Sequence, residues 1–127
     1  MGRWRGPADD DWSGRLVGNL EAVGRGWSRV ETWSGDAQVG GSPVPRSMLG
    51  GTALVEVAAH GGDVARALGR TLELPPEAAD AVPRAATSTA DLGRQLGAYG
   101  PEVPVAEDNS SLHRALGQVG RDPGWSA

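Results

Sequence analysis

Hydrophobic positions in the first part of the chain repeat with the period of an α-helix. Apolar residues recur three or four positions apart, at Trp12, Leu16, Leu20, Val23 and Trp27. This spacing gathers them into one stripe along a helix. Three aspartates at positions 9–11 precede the stripe and suit the positive end of a helix dipole. The pattern therefore predicts a helix over residues 11–28.

Turn and capping residues predict three further helices, over residues 46–69, 76–97 and 110–119. Gly69 and Gly120 stand where a helix can end with one residue in the left-handed conformation. Pro76 suits a first helical turn, whereas Pro83 should either kink the third helix or delay its start.

The remaining segments are predicted to be loops. Residues 34–45 are rich in Gly, Ser and Pro, which is the composition of a loop. Only residues 102–106 alternate like a strand, and their proline argues against a central strand. We therefore expect an all-α fold of about four helices in a single domain over residues 1–127, with residues 1–10 flexible.

Composition and charge narrow the choice of partners. The chain of 127 residues has a net charge of -4, and its 12 basic residues are all arginine without a basic stripe. A nucleic-acid partner is not expected, because phosphates require clustered Lys or Arg. There is no cysteine to form a disulfide or a thiol nucleophile. No apolar run reaches the roughly 18 residues of a membrane span, so we expect a cytoplasmic protein.

Three ionisable residues, Glu56, His60 and Asp63, stand inside the apolar second helix. No other residue between positions 47 and 65 can carry a charge. At about 100° per residue, the three side chains share a sector roughly 60° wide. Because the helix is apolar on its other sides as well, we expect Glu56 and His60 to be at least partly buried. Buried charges of this kind require compensation.

Three forms of compensation are open. The carboxylate and the imidazole could hydrogen-bond to each other or to arginines of another helix. They could instead bind a divalent metal such as zinc, nickel or iron, with Asp63 as an acceptor for the imidazole N–H. Alternatively, the sector is not buried and the three groups are solvated. Glu56 and His60 supply only two metal ligands, so a metal site would need others from elsewhere.

Two segments carry a longer pattern, MLGGTALVEVAAHGGDVARALGRTLELPPEAAD and LHRALGQVGRDPGW. The first contains E-x-x-x-H-x-x-D-x-A-x-A-x-G over residues 56–69, followed by LPP at 74–76, and the second contains GRDP at 120–123. Together they resemble the C-terminal part of the DinB-like metal-binding family. The closest likeness is to its actinobacterial branch, which is related to mycothiol-dependent maleylpyruvate isomerase. The resemblance covers roughly residues 12–125.

The resemblance implies a four-helix bundle with a mononuclear metal site in its interior. It assigns Glu56 and His60 as metal ligands and Asp63 as the residue that orients the imidazole. A low-molecular-weight thiol would then support isomerase or transferase chemistry. The chain departs from the family by lacking two initial helices, which carry the remaining metal histidine, and by having Gly62 where an aromatic is common. The third ligand must come from a second subunit, from His113 or from water.

Two hypotheses about function follow. The first is a divalent-metal-binding protein of the thiol-dependent type, which could be inactive because one ligand is missing. The second is a non-catalytic helical module that self-associates. Two copies could complete a bundle by pairing helices 11–28 and 46–69 with their mates, and such a homodimer would bring two Glu56/His60 pairs together. Whether the protein is an enzyme stays open at this point.

Overall fold

Four α-helices and one short β-hairpin make up the computed structural model, which describes residues 11–125. The elements are α1 (Trp12–Trp27), a 3-10 helix (Val30–Trp33), β1 (Asp36–Val39), β2 (Ser42–Pro45), α2 (Arg46–Ala67), α3 (Pro76–Gln95) and α4 (Ser111–Gln118). The predicted class is confirmed, since the chain is predominantly helical with four α-helices in the described part. The expected flexibility of residues 1–10 lies outside the described residues.

The end of α2 and the start of α4 are formed by residues that the sequence marked, whereas the side chain of Asp11 makes no capping hydrogen bond at the start of α1. After α2, Gly69 has φ of 66°, and its N–H donates to the Arg66 carbonyl at 3.0 Å. The N–H of Arg70 donates to the Ala65 carbonyl at 2.8 Å, which completes a Schellman motif. Before α4, the Ser110 hydroxyl accepts a hydrogen bond from a backbone N–H of the first turn. These local interactions explain why the predicted boundaries agree with the observed ones.

Pro83 lies inside α3, but it does not delay the start of that helix. The helix begins at Pro76 and continues to Gln95. Of the two expected effects of Pro83, the late start is therefore wrong. The proline deprives one carbonyl of the preceding turn of its N–H partner, a loss that surrounding packing offsets.

The predicted loop over residues 34–45 is wrong, because most of it forms a hairpin. Strands β1 and β2 pair antiparallel, with Asp36 opposite Pro45 and Val39 opposite Ser42. The two-residue turn is Gly40-Gly41, with φ of 58° and 81°. Positive φ at both central positions is the requirement of a type I′ hairpin turn, which glycine meets without steric cost. Residues 102–106, the only segment with strand-like alternation, form no strand.

The hydrophobic core lies between α2, α3 and α4. Its buried members are mostly small (Val55, Ala58, Val82, Ala86, Tyr99, Leu112, Ala115, Val119). In the described structure, residues 11–125, no residue of α1 is buried. That helix is joined to α2 through the indoles of Trp27 and Trp33, which meet edge to face at 5.1 Å and pack against Gly50. No helix in the described range is long and apolar enough to cross a membrane.

Candidate functional site

Glu56, His60 and Asp63 form one connected cluster on the surface of α2. The Nε2 atom of His60 lies 3.1 Å from Oε2 of Glu56. Its Nδ1 atom lies 3.4 Å from Oδ2 of Asp63. Each ring nitrogen therefore faces a carboxylate, as the shared helical sector predicts. A proton on either nitrogen has an acceptor within reach.

Arg121 joins this cluster from the segment that follows α4. Its Nε donates to both carboxylate oxygens of Asp63, at 3.1 and 3.2 Å, and Nη2 donates to one of them at 3.2 Å. The backbone N–H of Arg121 donates to the Leu116 carbonyl at 2.9 Å, which fixes the residue at the end of α4. In the sequence, Arg121 stood out only as part of the GRDP segment at residues 120–123, without a role of its own. Its partner is 58 positions away, so no local pattern identifies the pair.

The cluster is more exposed than the sequence suggested. The side chain of His60 is 64% exposed, that of Glu56 is 40% exposed and that of Asp63 is 49% exposed. The expectation that both residues are at least partly buried is therefore wrong for His60 and confirmed for Glu56. The reason is that α2 turns a different side, with Val55 and Ala59, toward the core. The three groups are stabilised by one another, by Arg121 and by water.

Tyr99 connects the cluster to the core. It is 8% exposed, and its hydroxyl finds no hydrogen-bond partner among the described residues. Burial raises the pKa of Tyr99, and the nearby negative charge of Glu56 raises it further. A buried hydroxyl without a partner is costly, because it has lost its water without gaining a protein acceptor. No sequence pattern pointed to Tyr99, because it lies in a predicted loop.

The donor side chains within residues 11–125 of one chain do not form a group that could hold a metal ion. In the described part of the chain, no three His, Cys, Asp or Glu side chains are arranged to hold a metal ion. His113, one proposed source of a third ligand, lies on α4 with its Nδ1 atom 3.4 Å from Asn109 Oδ1. That Glu56 and His60 are metal ligands stays a prediction. Asp63 lies beside Nδ1 of His60, so its carboxylate could accept the proton of that nitrogen in a hydrogen bond if Nε2 bound a metal.

An apolar cleft of about 330 Å³ opens between α1, the 3-10 helix and α2. Its lining includes Leu20, Val23, Trp27, Trp33, Gly50 and Val57, and no charged side chain. The indole N–H of Trp33 donates to the Trp27 carbonyl at 2.8 Å, so it offers nothing to a ligand. This volume lies within the range of small-molecule and side-chain pockets.

No protein-family model matches the chain, and neither a curated protein nor a solved structure matches it. The likeness to the DinB-like family therefore remains a hypothesis. One departure from that family has a structural consequence. A Cβ at Gly62 would lie 3.7 Å from Leu116 of α4. That distance is an ordinary van der Waals contact, so the larger aromatic side chain that is common there would require the Leu116 side chain to move.

Proposed function

We propose that the protein is a helical interaction module that works as a homodimer through α1 and the exposed side of α2. The observation that carries the proposal is that α1 bears five large apolar residues on one stripe while nothing in residues 11–125 buries it. A helix of this kind gains most of its stability by packing its apolar face. The cytoplasmic location expected from the sequence belongs to the same proposal.

The exposed apolar side chains of α1, the 3-10 helix and α2 could supply much of a protein interface. Seven large apolar side chains there are between 40% and 59% exposed: Trp12, Leu16, Leu20, Val23, Trp33, Val57 and Val64. At roughly 100–200 Å² for each side chain when fully exposed, they present on the order of 350–700 Å². A standard interface buries about 800 Å² on each partner, polar surface included. Exposed apolar area of this extent is often functional.

A second candidate function, divalent-metal binding, is favoured by the position of His60. Val57 and Val64 lie three residues before and four residues after it, so His60 borders the exposed apolar side of α2. Two copies that pair through this side would bring two Glu56/His60 pairs together and supply four potential ligands. Thiol-dependent isomerase or transferase activity is a further proposal, and it rests on the family resemblance alone.

Size-exclusion chromatography with light scattering tests the main proposal. We expect a dimer for the wild type and a monomer for Leu20→Asp, which places a carboxylate in the stripe. The matched control is Ala22→Asp, since its carboxylate points about 120° away from the middle of the stripe. It should remain dimeric. A wild type that is monomeric at high concentration would contradict the proposal.

Elemental analysis tests the metal candidate separately. Purified wild type should carry about one divalent metal for each dimer, and His60→Ala should carry none. A metal-free wild-type dimer would eliminate the metal candidate and leave the interaction module standing.

A further inference from the structure

We propose that the apolar cleft of each copy receives Trp12 of the second copy, in an antiparallel pairing of the two α1 helices. The inference rests on the proposed homodimer and specifies its register. It assigns the cleft an occupant and gives the exposed Trp12 a role. Three features of the molecule support it: the apolar lining of the cleft, the symmetric spacing of the stripe, and the distribution of charge along α1.

The cleft suits an uncharged aromatic side chain. Its volume of about 330 Å³ exceeds the roughly 150 Å³ of a cavity that accepts benzene, so an indole can enter. All of its lining residues are apolar or glycine. Gly50 has no side chain to fill the cleft, and a Cβ at that position would clash with the rings of both Trp27 and Trp33. A charged or strongly polar occupant would lose its hydration without gaining a partner.

The spacing of the apolar residues along α1 is almost symmetric about the middle of the stripe. Its spacings are four, four, three and four residues, with a tryptophan at each end and Leu20 near the middle. A two-fold axis near Leu20 therefore sets Trp12 of one copy beside Trp27 of the other, and Leu16 beside Val23. Trp27 lines the cleft. A two-fold contact is self-complementary, so both clefts are filled at once.

Charge on α1 is compatible with this close approach. Arg25 and Glu21, whose charged atoms are 3.9 Å apart, lie on the side of the helix opposite the stripe. Gly24 and Gly26 lie near the stripe, and a Cβ at either would meet nothing within 4 Å. The stripe itself is thus neutral, and Arg15 lies on its flank, on the same side of α1 as Gly26. Trp12 itself is 57% exposed, which leaves its indole free to pack elsewhere.

Cysteine cross-linking tests the register. The chain has no cysteine, so one introduced thiol can form a disulfide only with a second copy. Under oxidising conditions, Leu20→Cys should yield mostly disulfide-linked dimer because the two positions lie near the axis. Gly18→Cys is the matched control on the opposite side of α1, where a Cβ meets nothing within 4 Å. It should stay un-cross-linked.

Substitution of Trp12 tests the occupant. Trp12→Ala should raise the dimer dissociation constant about tenfold or more, as expected of a buried aromatic anchor. Trp125→Ala, which removes another half-exposed tryptophan outside the stripe, should change it less than about twofold. A monomeric wild type would overturn the proposed function itself. A dimer without Leu20→Cys cross-linking, or with unchanged affinity in Trp12→Ala, would overturn only this register.

Discussion

Removal of the Tyr99 hydroxyl should stabilise the protein. The Tyr99→Phe substitution keeps the ring, which packs so closely on Gly93 that no Cβ would fit there. It deletes a hydroxyl that is buried without a hydrogen-bond partner in the described structure. Most substitutions of a buried tyrosine are harmful, so an increase in stability would be a specific result.

The magnitude follows from the cost of an unsatisfied polar group. Leaving a buried donor unpaired costs about 1–3 kcal/mol relative to its hydrated state. Because Tyr99 retains 8% exposure, we expect the lower end, a gain of about 1 kcal/mol in the free energy of unfolding. That corresponds to roughly 4 °C in Tm for a domain of this size. Tyr99→Ala, which also removes the ring, should instead cost about 3–5 kcal/mol.

The pH dependence gives a second readout. Burial and the charge of Glu56 raise the pKa of Tyr99 above its ordinary value of 10.0, so the folded state disfavours the phenolate. The contribution to stability is fully present below the unfolded-state pKa and is lost as pH rises through the folded-state pKa. Wild type should lose stability above about pH 10, and Tyr99→Phe should lose less.

Urea denaturation, followed by circular dichroism at neutral and alkaline pH, measures both effects. The reasoning would be refuted if Tyr99→Phe lowered the free energy of unfolding by about 1 kcal/mol or more. Such a loss would mean that the hydroxyl donates a hydrogen bond in solution, for which Glu56 and Thr89 are candidate acceptors because both influence the pKa of Tyr99.

Four further substitutions test other parts of the fold. Gly117→Ala should lower the free energy of unfolding in urea by about 1–3 kcal/mol, because its Cβ would lie 2.5 Å from the Val103 carbonyl oxygen. Gly26→Ala, with open space around its Cβ, should instead be stabilising or neutral in the same assay. Asp63→Asn should cost less than about 1 kcal/mol and less again in high salt, since the ion pair with Arg121 is half exposed. Gly41→Ala should cost about 1–2 kcal/mol by thermal denaturation, because φ there is 81°.

Features with a local cause were predictable from the sequence. The Gly69 end of α2 and the Ser110 cap of α4 depend on residues within one turn of each boundary. The hairpin was predictable on the same grounds, because Gly40-Gly41 is a signal for a two-residue turn. Its Gly- and Pro-rich surroundings favoured a loop, and that compositional argument outweighed the turn chemistry.

Features that depend on distant contacts were not predictable. The sequence shows that α2 is apolar on most of its surface, but it does not show which side meets α3 and α4. Val57 is therefore 50% exposed although it lies in the middle of an apolar helix. Arg121 and Tyr99 reach the cluster from segments that lie far along the chain. The shared sector of Glu56, His60 and Asp63 follows from helix geometry, whereas the exposure of that sector is a property of the tertiary structure.

The two candidate functions can be separated because they predict a thermodynamic linkage. In one chain, a metal ion bound to Glu56 and His60 would replace the 3.1 Å contact between Nε2 of His60 and Oε2 of Glu56. It would gain only these two protein ligands. In the proposed dimer, two such pairs would share the ion, so the metal would bind the dimer more tightly than the monomer. By reciprocity, Zn²⁺ must then lower the dimer dissociation constant by the same factor. We expect sedimentation equilibrium to show this shift for wild type and not for His60→Ala. Equal dissociation constants with and without Zn²⁺ would show that the cluster and the interface act independently. The exposed stripe of α1 would then be sufficient to explain self-association.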